Sequence, residues 1–299
     1  MLNKIIYDKC LCCQSVNIKR TFSAIDYTVS KEYFEIWECS QCTFRFTQHV
    51  PDAHHIGPYY QSSAYVSHSD TKVGLINQLY HFARNLTLKS KYNLVNKVTG
   101  LKQGALLDYG AGTGAFSHFM KVKGWNVTGI EPDDNARSNA LKNYNLQLDK
   151  LSHLEQLQPS SFDAITLWHV LEHVHDLYGT LDHFQRVIKP SGRLLIAVPN
   201  YTSYDAQYYK EYWAAYDVPR HLYHFSPQSM KVLLESKGFV LQKKVPMWFD
   251  STYVSMLSEQ YKHGQSRYLS AVWIGLMSNL KAIFNAGKCS SVIYVLKKK

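Results

Sequence analysis

The stretch LLDYGAGTGAFSHFM, residues 106–120, constrains the fold more than any other part of the chain. An apolar run reaches Asp108 and is followed by Gly110, Gly112 and Gly114, after which an amphipathic segment begins. Glycines at alternating positions permit a sharp turn with positive φ angles and leave the backbone bare for a ligand. A helix that starts at such a turn directs its free N–H groups to the same place. The pattern therefore predicts a strand, a ligand-binding turn and a helix.

Strand and helix patterns continue to alternate after this turn. The predicted strands are 105–109, 125–130, 146–148, 162–168, 193–198, 239–245 and 290–296. The predicted helices are 114–123, 133–144, 177–188, 227–237 and most of 250–285. Right-handed crossovers between such units build a parallel sheet with helices on both faces. We predict an α/β fold, a Rossmann-like doubly wound sheet of seven strands with an antiparallel strand at one edge.

Composition and charge restrict the function less than the turn does. Of the 299 residues, 45% are hydrophobic and 19% are charged, which is typical of a globular protein. The net charge is +10, but the lysines are dispersed along the chain, which does not favour nucleic acid as a partner. Neither a secretory signal nor an apolar run of about 18 residues stands out. We therefore predict a cytoplasmic protein without stable membrane insertion.

Two carboxylates indicate which cofactor the turn holds. Glu131 ends the next strand, 23 positions after Asp108, where it can accept hydrogen bonds from both ribose hydroxyls. The turn with Ala115 also satisfies G-x-G-x-x-G/A, so an NAD-dependent oxidoreductase is a rival interpretation. Asp108 would lie badly beside a pyrophosphate, whereas it suits a cofactor with an ammonium and a sulfonium group. S-adenosylmethionine is such a cofactor.

Four segments together resemble the class I S-adenosylmethionine-dependent methyltransferases, and most of all the group that includes the ubiquinone-pathway O-methyltransferases. They are Asp108 to Gly114, Glu131-Pro132, Phe162 to His173 and Val198-Pro199-Asn200. The resemblance implies that the glycine turn wraps the methionine part of the cofactor, that the acid after the second strand holds the ribose, and that residues after the third strand flank the adenine. The candidate cofactor contacts are Asp108, Gly110, Gly112, Gly114, Glu131, Pro132, Lys150, Leu151 and Trp168.

The stretch LWHVLEHVHD after the fourth predicted strand supplies the candidate catalytic residues. His169, Glu172 and His173 are spaced i, i+3 and i+4, so a helical turn would place them on one face at the carboxyl end of the sheet. His221, and also His224, follow the fifth strand on the same rim. Such a group can act as a general base toward the methyl acceptor or can bind a divalent metal. Some related methyltransferases bind a cation through E-x-x-E-H here, but His169 replaces the first glutamate.

The cysteines at the start of the chain have the spacing of a zinc ribbon. Cys10-x-x-Cys13 and Cys39-x-x-Cys42 form two knuckles separated by 25 residues, and Cys12 is an alternative ligand. Disulfides are not expected in a cytoplasmic chain, so structural zinc is the favoured interpretation. Similar short zinc ribbons precede several bacterial methyltransferases, and this analogy also favours zinc.

The segment between the cysteines and the sheet is rich in aromatic residues. Tyr59, Tyr60, Tyr65 and His68 precede a helix predicted at 73–98, and the family resemblance suggests a lid over cofactor and substrate. Ordinary packing of a linker on the core is the competing interpretation. We divide the chain into a zinc-ribbon-like segment at 1–50, a helical lid or linker at 51–103 and a methyltransferase domain at 104–299.

The resulting functional hypothesis is an S-adenosylmethionine-dependent methyltransferase that acts on a small molecule such as a sugar or a quinone precursor. Two alternatives are an RNA- or protein-modifying methyltransferase and a binding module that keeps the fold without catalysis. Neither the acceptor nor the oligomeric state follows from the sequence, because one fold serves many substrates.

Overall fold

The computed structural model describes residues 4–61, 75–265 and 267–299, and for residues 75–84 it describes the backbone alone. The strands of this part of the chain are β1 (Lys4–Ile5), β2 (Ile18–Ile25), β3 (Tyr33–Cys39), β4 (Arg45–Thr47), β5 (Val50–Pro51), β6 (Ala105–Tyr109), β7 (Asn126–Ile130), β8 (Phe162–Trp168), β9 (Ile188–Pro199), β10 (Tyr223–His224), β11 (Phe239–Pro246) and β12 (Ser291–Lys298). The α-helices are α1 (Leu75–Thr99), α2 (Ala115–Val122), α3 (Asp134–Tyr144), α4 (His153–Gln156), α5 (Leu177–Val187), α6 (Tyr204–Tyr209), α7 (Pro227–Ser236), α8 (Asp250–His263) and α9 (Tyr268–Phe284).

The central sheet has six strands in the order β11-β12-β9-β8-β6-β7. The four strands β9, β8, β6 and β7 run parallel, while β12 is antiparallel to both of its neighbours. The α/β class and the crossover topology predicted from the sequence are confirmed. Strands β6, β8 and β9 are mostly buried because both faces of a parallel sheet are covered.

Two details of the sheet differ from the prediction. The stretch predicted as a strand at 146–148 forms only an isolated parallel bridge, in which Asp149 lies beside Ile130. Asn145 has a φ of +48° as it leaves α3, and the chain turns away again after Asp149, so a longer ladder cannot form. The antiparallel strand β12 also lies one position inside the edge, because β11 pairs with its outer side.

The N-terminal head is built into the same core as the central sheet. The head comprises residues 4–51, and its strands β2, β3 and β4 form one sheet with β10 in the order β10-β4-β3-β2. In this sheet Phe46 of β4 lies opposite Tyr223 of β10. Phe44 and Phe46 are fully buried in one cluster with Leu167 of β8. The head therefore packs as a layer on the sheet, while the division at residues 50 and 103 stays a prediction.

Helices α8 and α9, which follow β11 and precede β12 in the sequence, pack against each other as an antiparallel pair. Their contact is close, because a Cβ built on Gly275 would lie 2.8 Å from the Cα of Thr252. Small buried side chains line the contact on both helices: Ser251, Ser255 and Ser258 on α8, and Ala271, Gly275, Ser278 and Ala282 on α9. Among the residues described, no helix has the length and apolar character needed to cross a bilayer.

Candidate active site

The glycine turn lies between β6 and α2 and is stabilised by backbone bonds to β7. Gly110, Gly112 and Gly114 have φ angles of +74°, +56° and +80°. A Cβ at Gly110 would clash with Val170 at 2.3 Å, and one at Gly114 would lie 2.9 Å from Ala140. At Gly112, by contrast, no described atom would lie within 4 Å. The outer glycines are thus required for packing, while Gly112 leaves its face of the turn open for a ligand.

Glu131 ties this turn to the end of β7. Its Oε2 accepts a hydrogen bond from the Gly112 N–H at 2.7 Å, and its Oε1 accepts one from the Asp133 N–H at 3.0 Å. The side chain is largely buried, and burial raises its pKa against the lowering effect of the two N–H groups. Each oxygen keeps a second lone pair, which fits hydroxyl groups of a ribose. Pro132, Lys150 and Leu151 lie beside Glu131 on the exposed rim, since the Glu131 N–H donates to Asp149 O.

Asp108 is buried beneath the turn. Its position in the register of the sheet brings Thr166 alongside, and its Oδ1 accepts from Thr166 Oγ1 at 2.9 Å while Oδ2 accepts from Ser117 Oγ at 2.6 Å. Burial raises the pKa of this carboxyl. The sequence predicts contact with a cofactor ammonium either directly or through water; an exposed fraction of 1% and two hydrogen-bonded oxygens favour contact through water.

Lys91 of α1 brings a cation to this end of the sheet. Its Nζ lies 4.4 Å from the centre of the Trp168 ring and 5.9 Å from that of Phe116, within the range of cation–π attraction. Burial lowers the pKa of Lys91 to about 8, against the opposite influence of Asp108 and Asp250. The indole N–H of Trp168 is buried without a hydrogen-bond partner in the described residues. Trp168 and Lys91 therefore form one wall of the site.

Glu172, His173 and His221 converge next to this wall. One potential ligand atom from each lies within 4.8 Å of the others. Glu172 is fully buried, and its Oε1 lies 3.4 Å from Nδ1 of His169. Burial would raise the pKa of Glu172, but the hydrogen bond and charge of His169, together with the charges of His221 and His173, lower it. A fully buried carboxylate with three imidazoles around it is costly for the fold, so its presence points to a functional site.

Backbone carbonyls fix both imidazoles of this cluster. His221 Nδ1 lies 2.8 Å from Ala215 O, and His173 Nδ1 lies 3.0 Å from Arg220 O, so an Nδ1 proton can be donated to each carbonyl. Nε2 of His173 then carries the lone pair. Burial, and to a lesser extent His221, lower the pKa of His173 to about 4, which keeps this ring neutral. A neutral ring with its lone pair fixed can accept a proton or ligate a metal.

His169 takes a different place from the one predicted. It does not share a helical face with Glu172 and His173, because its φ is +58° and Leu171–His173 forms a 3-10 turn. The cause is that the His169 N–H still bonds to Ala197 O at the end of the sheet, which forces a sharp turn after it. Its Nδ1 lies 3.4 Å from Glu172 Oε1, and its Nε2 lies 2.9 Å from Asp250 Oδ2.

The pairing of His169 with Asp250 and Glu172 predicts that the stability of the fold depends on pH. Burial would lower the pKa of His169, but Asp250 and Glu172 raise it to about 10. Since the unfolded value is about 6.5, the stabilisation is complete below pH 6.5 and is lost as pH rises toward 10. The side chain is 34% exposed, so we expect about 1 kcal/mol after solvent screening. Urea unfolding should show this loss of unfolding free energy between pH 6.5 and 10 in the wild type and not in a His169→Gln, Asp250→Asn double variant. The same pH dependence in both proteins would show that the ion pair does not contribute to stability.

Sequence reasoning missed several residues around the site. Lys91, Asp250 and the buried Arg220 carried no motif that singled them out. Arg220 donates to Asp26 of the head at 2.9 Å and also bonds Asp217, which joins the head to the loop that holds His221. His224, by contrast, lies in the core with its Nε2 3.0 Å from Thr47 Oγ1, outside the cluster.

One aromatic residue of the predicted lid reaches the cluster. Tyr60 Oη lies 3.1 Å from His173 Nδ1, and burial raises the pKa of this tyrosine. Tyr59 is buried against Phe34 instead. Tyr65 and His68 lie outside the described residues, and the lid stays a prediction.

The four predicted zinc ligands of the head come together as two equivalent knuckles. The Gln14 N–H donates to Cys10 O, and the Thr43 N–H donates to Cys39 O. Gln14 and Thr43, which each follow a CxxC pair, have φ angles of +61° and +60°. The sulfurs of Cys10, Cys13, Cys39 and Cys42 all lie within 4.8 Å of one another, with two separations of 3.5 and 3.6 Å. Tetrahedral ligation at a Zn–S distance of about 2.3 Å requires about 3.8 Å between sulfurs. The alternative ligand, Cys12, points elsewhere and donates to Ser229 O.

The fold and the turn define a domain of the kind that binds a nucleoside cofactor, and comparison with known proteins gives its family. Residues 81–244, more than half of the chain, match the family described as "Methyltransferase domain". The chain therefore belongs to this family, and the class I S-adenosylmethionine-dependent methyltransferase assignment made from the sequence is confirmed.

Individual relatives agree with this assignment. Over 120 residues the chain is 32% identical to a ubiquinone biosynthesis O-methyltransferase of Xylella fastidiosa, covering 38% of this chain and 48% of that protein. It is 30% identical over 161 residues to the human mitochondrial ubiquinone biosynthesis O-methyltransferase, covering 48% and 44%. The chain thus matches about half of the length of these curated relatives.

A solved structure supports the fold. Magnesium protoporphyrin IX methyltransferase from Synechocystis, with S-adenosylhomocysteine bound, is similar with a TM-score of 0.53 at 14% identity, covering 83% of this chain and 100% of that one. At this identity the likeness concerns the fold alone.

Proposed function

We propose that the protein transfers a methyl group from S-adenosylmethionine to a small molecule, with the glycine turn and Glu131 holding the cofactor. The observation that carries the proposal is the juxtaposition of two parts: an open turn tied to Glu131, and a buried group of Glu172, His173 and His221 beside it. The names of the curated relatives, O-methyltransferases of ubiquinone biosynthesis, favour a small acceptor with a hydroxyl group.

The residues of the chain suit this reaction. When bound, S-adenosylmethionine supplies a methyl group attached to a sulfonium. The thioether that leaves is neutral, so its departure needs no acid catalyst. Gly112 and Glu131 would orient the nucleoside, and Trp168 with Phe116 would exclude water from the reacting centre. An acceptor hydroxyl must lose its proton as it attacks, and Nε2 of His173 or the carboxylate of Glu172 can take it. A divalent metal held by the same three residues would instead lower the pKa of the hydroxyl.

Labelling tests the proposal as a whole. The protein is incubated with S-adenosylmethionine labelled in its methyl group and with an extract of the native cell, and the labelled products are separated by size and chemistry. We expect label in a small molecule. Label in RNA or protein would favour the polymer-modifying alternative, and no label above a boiled-protein control would favour a non-catalytic module.

We further propose that Cys10, Cys13, Cys39 and Cys42 bind one structural zinc ion. Metal analysis of the purified protein should find about one zinc per chain, and Cys39→Ser should lose it because three thiolates leave the tetrahedral site incomplete. Cys12→Ser is the matched control: its thiol faces Ser229 O, so zinc should be retained. Equal zinc contents in the two variants would contradict the assignment. Thiolate ligands also fit the cytoplasmic location predicted from the sequence, since that compartment keeps them reduced.

A further inference from the structure

Helix α9 turns its small side chains inward and its large apolar side chains outward. The inward residues pack on α8, whereas the outward ones include Leu269, exposed by 90%, and Phe284, exposed by 85%. Soluble proteins rarely expose so many large apolar groups together, and such a patch marks a binding surface. We call it the α9 face and define it by Tyr268, Leu269, Val272, Trp273, Leu276, Leu280, Ile283 and Phe284.

The α9 face continues onto the segment before α8. The Asn279 side chain donates to Trp248 O at 2.8 Å and fixes that segment against the helix. Trp248 then borders an apolar groove of about 520 Å³ with Trp273, Leu276 and Ile283. Trp248 itself is exposed by 43%, and the neighbouring Phe249 by 54%. The surface is therefore wider than one helix and rich in aromatic side chains.

Basic residues dominate the charges of the segment that carries this face. Residues 246–299 contain two acids, Asp250 and Glu259. Asp250 is paired with His169, and Glu259 is fully buried. The basic residues of the same segment are Lys262, Arg267, Lys281, Lys288, Lys297, Lys298 and Lys299. Of these, Arg267 and Lys288 are exposed next to the two ends of α9, and Lys281 is exposed in its last turn.

We infer that the α9 face docks on an anionic lipid surface, with the helix lying in the plane of the interface. Large apolar and aromatic side chains on one face, together with basic residues at the ends and no acid within the helix itself, are the properties of interfacial helices. At 17 residues the helix would be about 25 Å long, and its inner face is occupied by α8, so it lies on the membrane rather than crossing it. A second copy of the chain would bring the same cations together and gain no charge complementarity.

This inference does not depend on the proposed function, although the two sites are neighbours. Asp250, which bonds His169 in the candidate active site, comes two residues after Trp248 of the groove. A docked protein would consequently hold that end of α8 close to the lipid headgroups.

Vesicle flotation tests the inference with the full chain. Vesicles of phosphatidylcholine alone are compared with vesicles that also contain phosphatidylglycerol, at low and at high salt. We expect the wild type to float with the anionic vesicles and to bind less at high salt, because the cations contribute. The variant Trp273→Glu, Ile283→Glu should bind at least about tenfold more weakly, since it places two charges in the apolar contact.

The control is Val122→Glu, which adds an acid at another exposed apolar position, 67% exposed at the end of α2. It should float like the wild type, and melting temperatures should show that all three proteins are folded. Equal flotation of the double variant and the wild type would overturn the inference. So would a wild type that does not float, and a dimer dissociated by the double variant would then assign the α9 face to a second copy.

Discussion

Replacing Glu172 by glutamine is expected to lower the rate of methyl transfer by about 10³-fold. The carboxylate is fully buried and lies within 4.8 Å of the ligand atoms of His173 and His221. Glutamine keeps the shape but removes the negative charge that attracts a proton or a metal. The rate is measured as label passing from S-adenosylmethionine to the small-molecule fraction of the native extract. The cofactor affinity should change by no more than about twofold, since Glu172 lies outside the glycine turn.

The matched control for this prediction is Glu259→Gln. Glu259 is equally buried and accepts hydrogen bonds from Tyr209 at 3.0 Å and from Ser270, but it lies between α6, α8 and α9 away from the cluster. It should lose stability and keep its rate once folded. If both variants keep the wild-type rate, the cluster has no part in catalysis.

Glu131→Ala should abolish measurable binding of S-adenosylmethionine, which corresponds to at least about a 100-fold rise in Kd. The alanine removes the two acceptors proposed for the ribose. It also frees the N–H groups of Gly112 and Asp133, now held at 2.7 and 3.0 Å, so the turn loses its fixed shape. Calorimetric titration measures the change directly.

Glu235→Ala provides the comparison for Glu131→Ala. Glu235 is a partly exposed acid near the end of α7, with Lys231 at 3.9 Å, so its loss changes the net charge equally and leaves the turn intact. Its Kd should match that of the wild type. An unchanged Kd in Glu131→Ala would remove Glu131 from the cofactor site.

The sequence predicted the parts of the structure that depend on local patterns. The glycines of the turn need positive φ angles and an adjacent strand and helix, so the pattern located them together with Glu131. The CxxC pairs located the cluster of Cys10, Cys13, Cys39 and Cys42 for the same reason, while Cys12 remains an alternative ligand whose thiol faces Ser229 O. These predictions succeed because the chemistry and the fold make the same demand on the residues.

Features that depend on tertiary contacts were beyond the sequence. Periodicity predicted a helical turn for His169, but the bond from its N–H to Ala197 O keeps it on the sheet. Lys91 and Asp250 belong to helices whose patterns give no sign that the side chains meet at Trp168 and His169. The strand predicted at 146–148 is reduced to a bridge because its length depends on where the chain turns on either side.

The packing of the head against the central sheet was also not predictable from the sequence. Spacing suggested a separate ribbon, whereas the pairing of β4 with β10 and the buried bond from Arg220 to Asp26 require the complete fold. Removing one partner of a buried ion pair strongly destabilises a protein, because the other charge is left unpaired. The pair of Arg220 with Asp26 therefore stabilises both the head and the loop that carries His221.

The central claim is that S-adenosylmethionine, not a dinucleotide, occupies the turn beside Glu131. Calorimetric titration of the wild type with S-adenosylmethionine and, separately, with NAD tests it most directly. The account predicts saturable binding of S-adenosylmethionine at one site per chain and no binding of NAD. Saturable binding of NAD without binding of S-adenosylmethionine would contradict it.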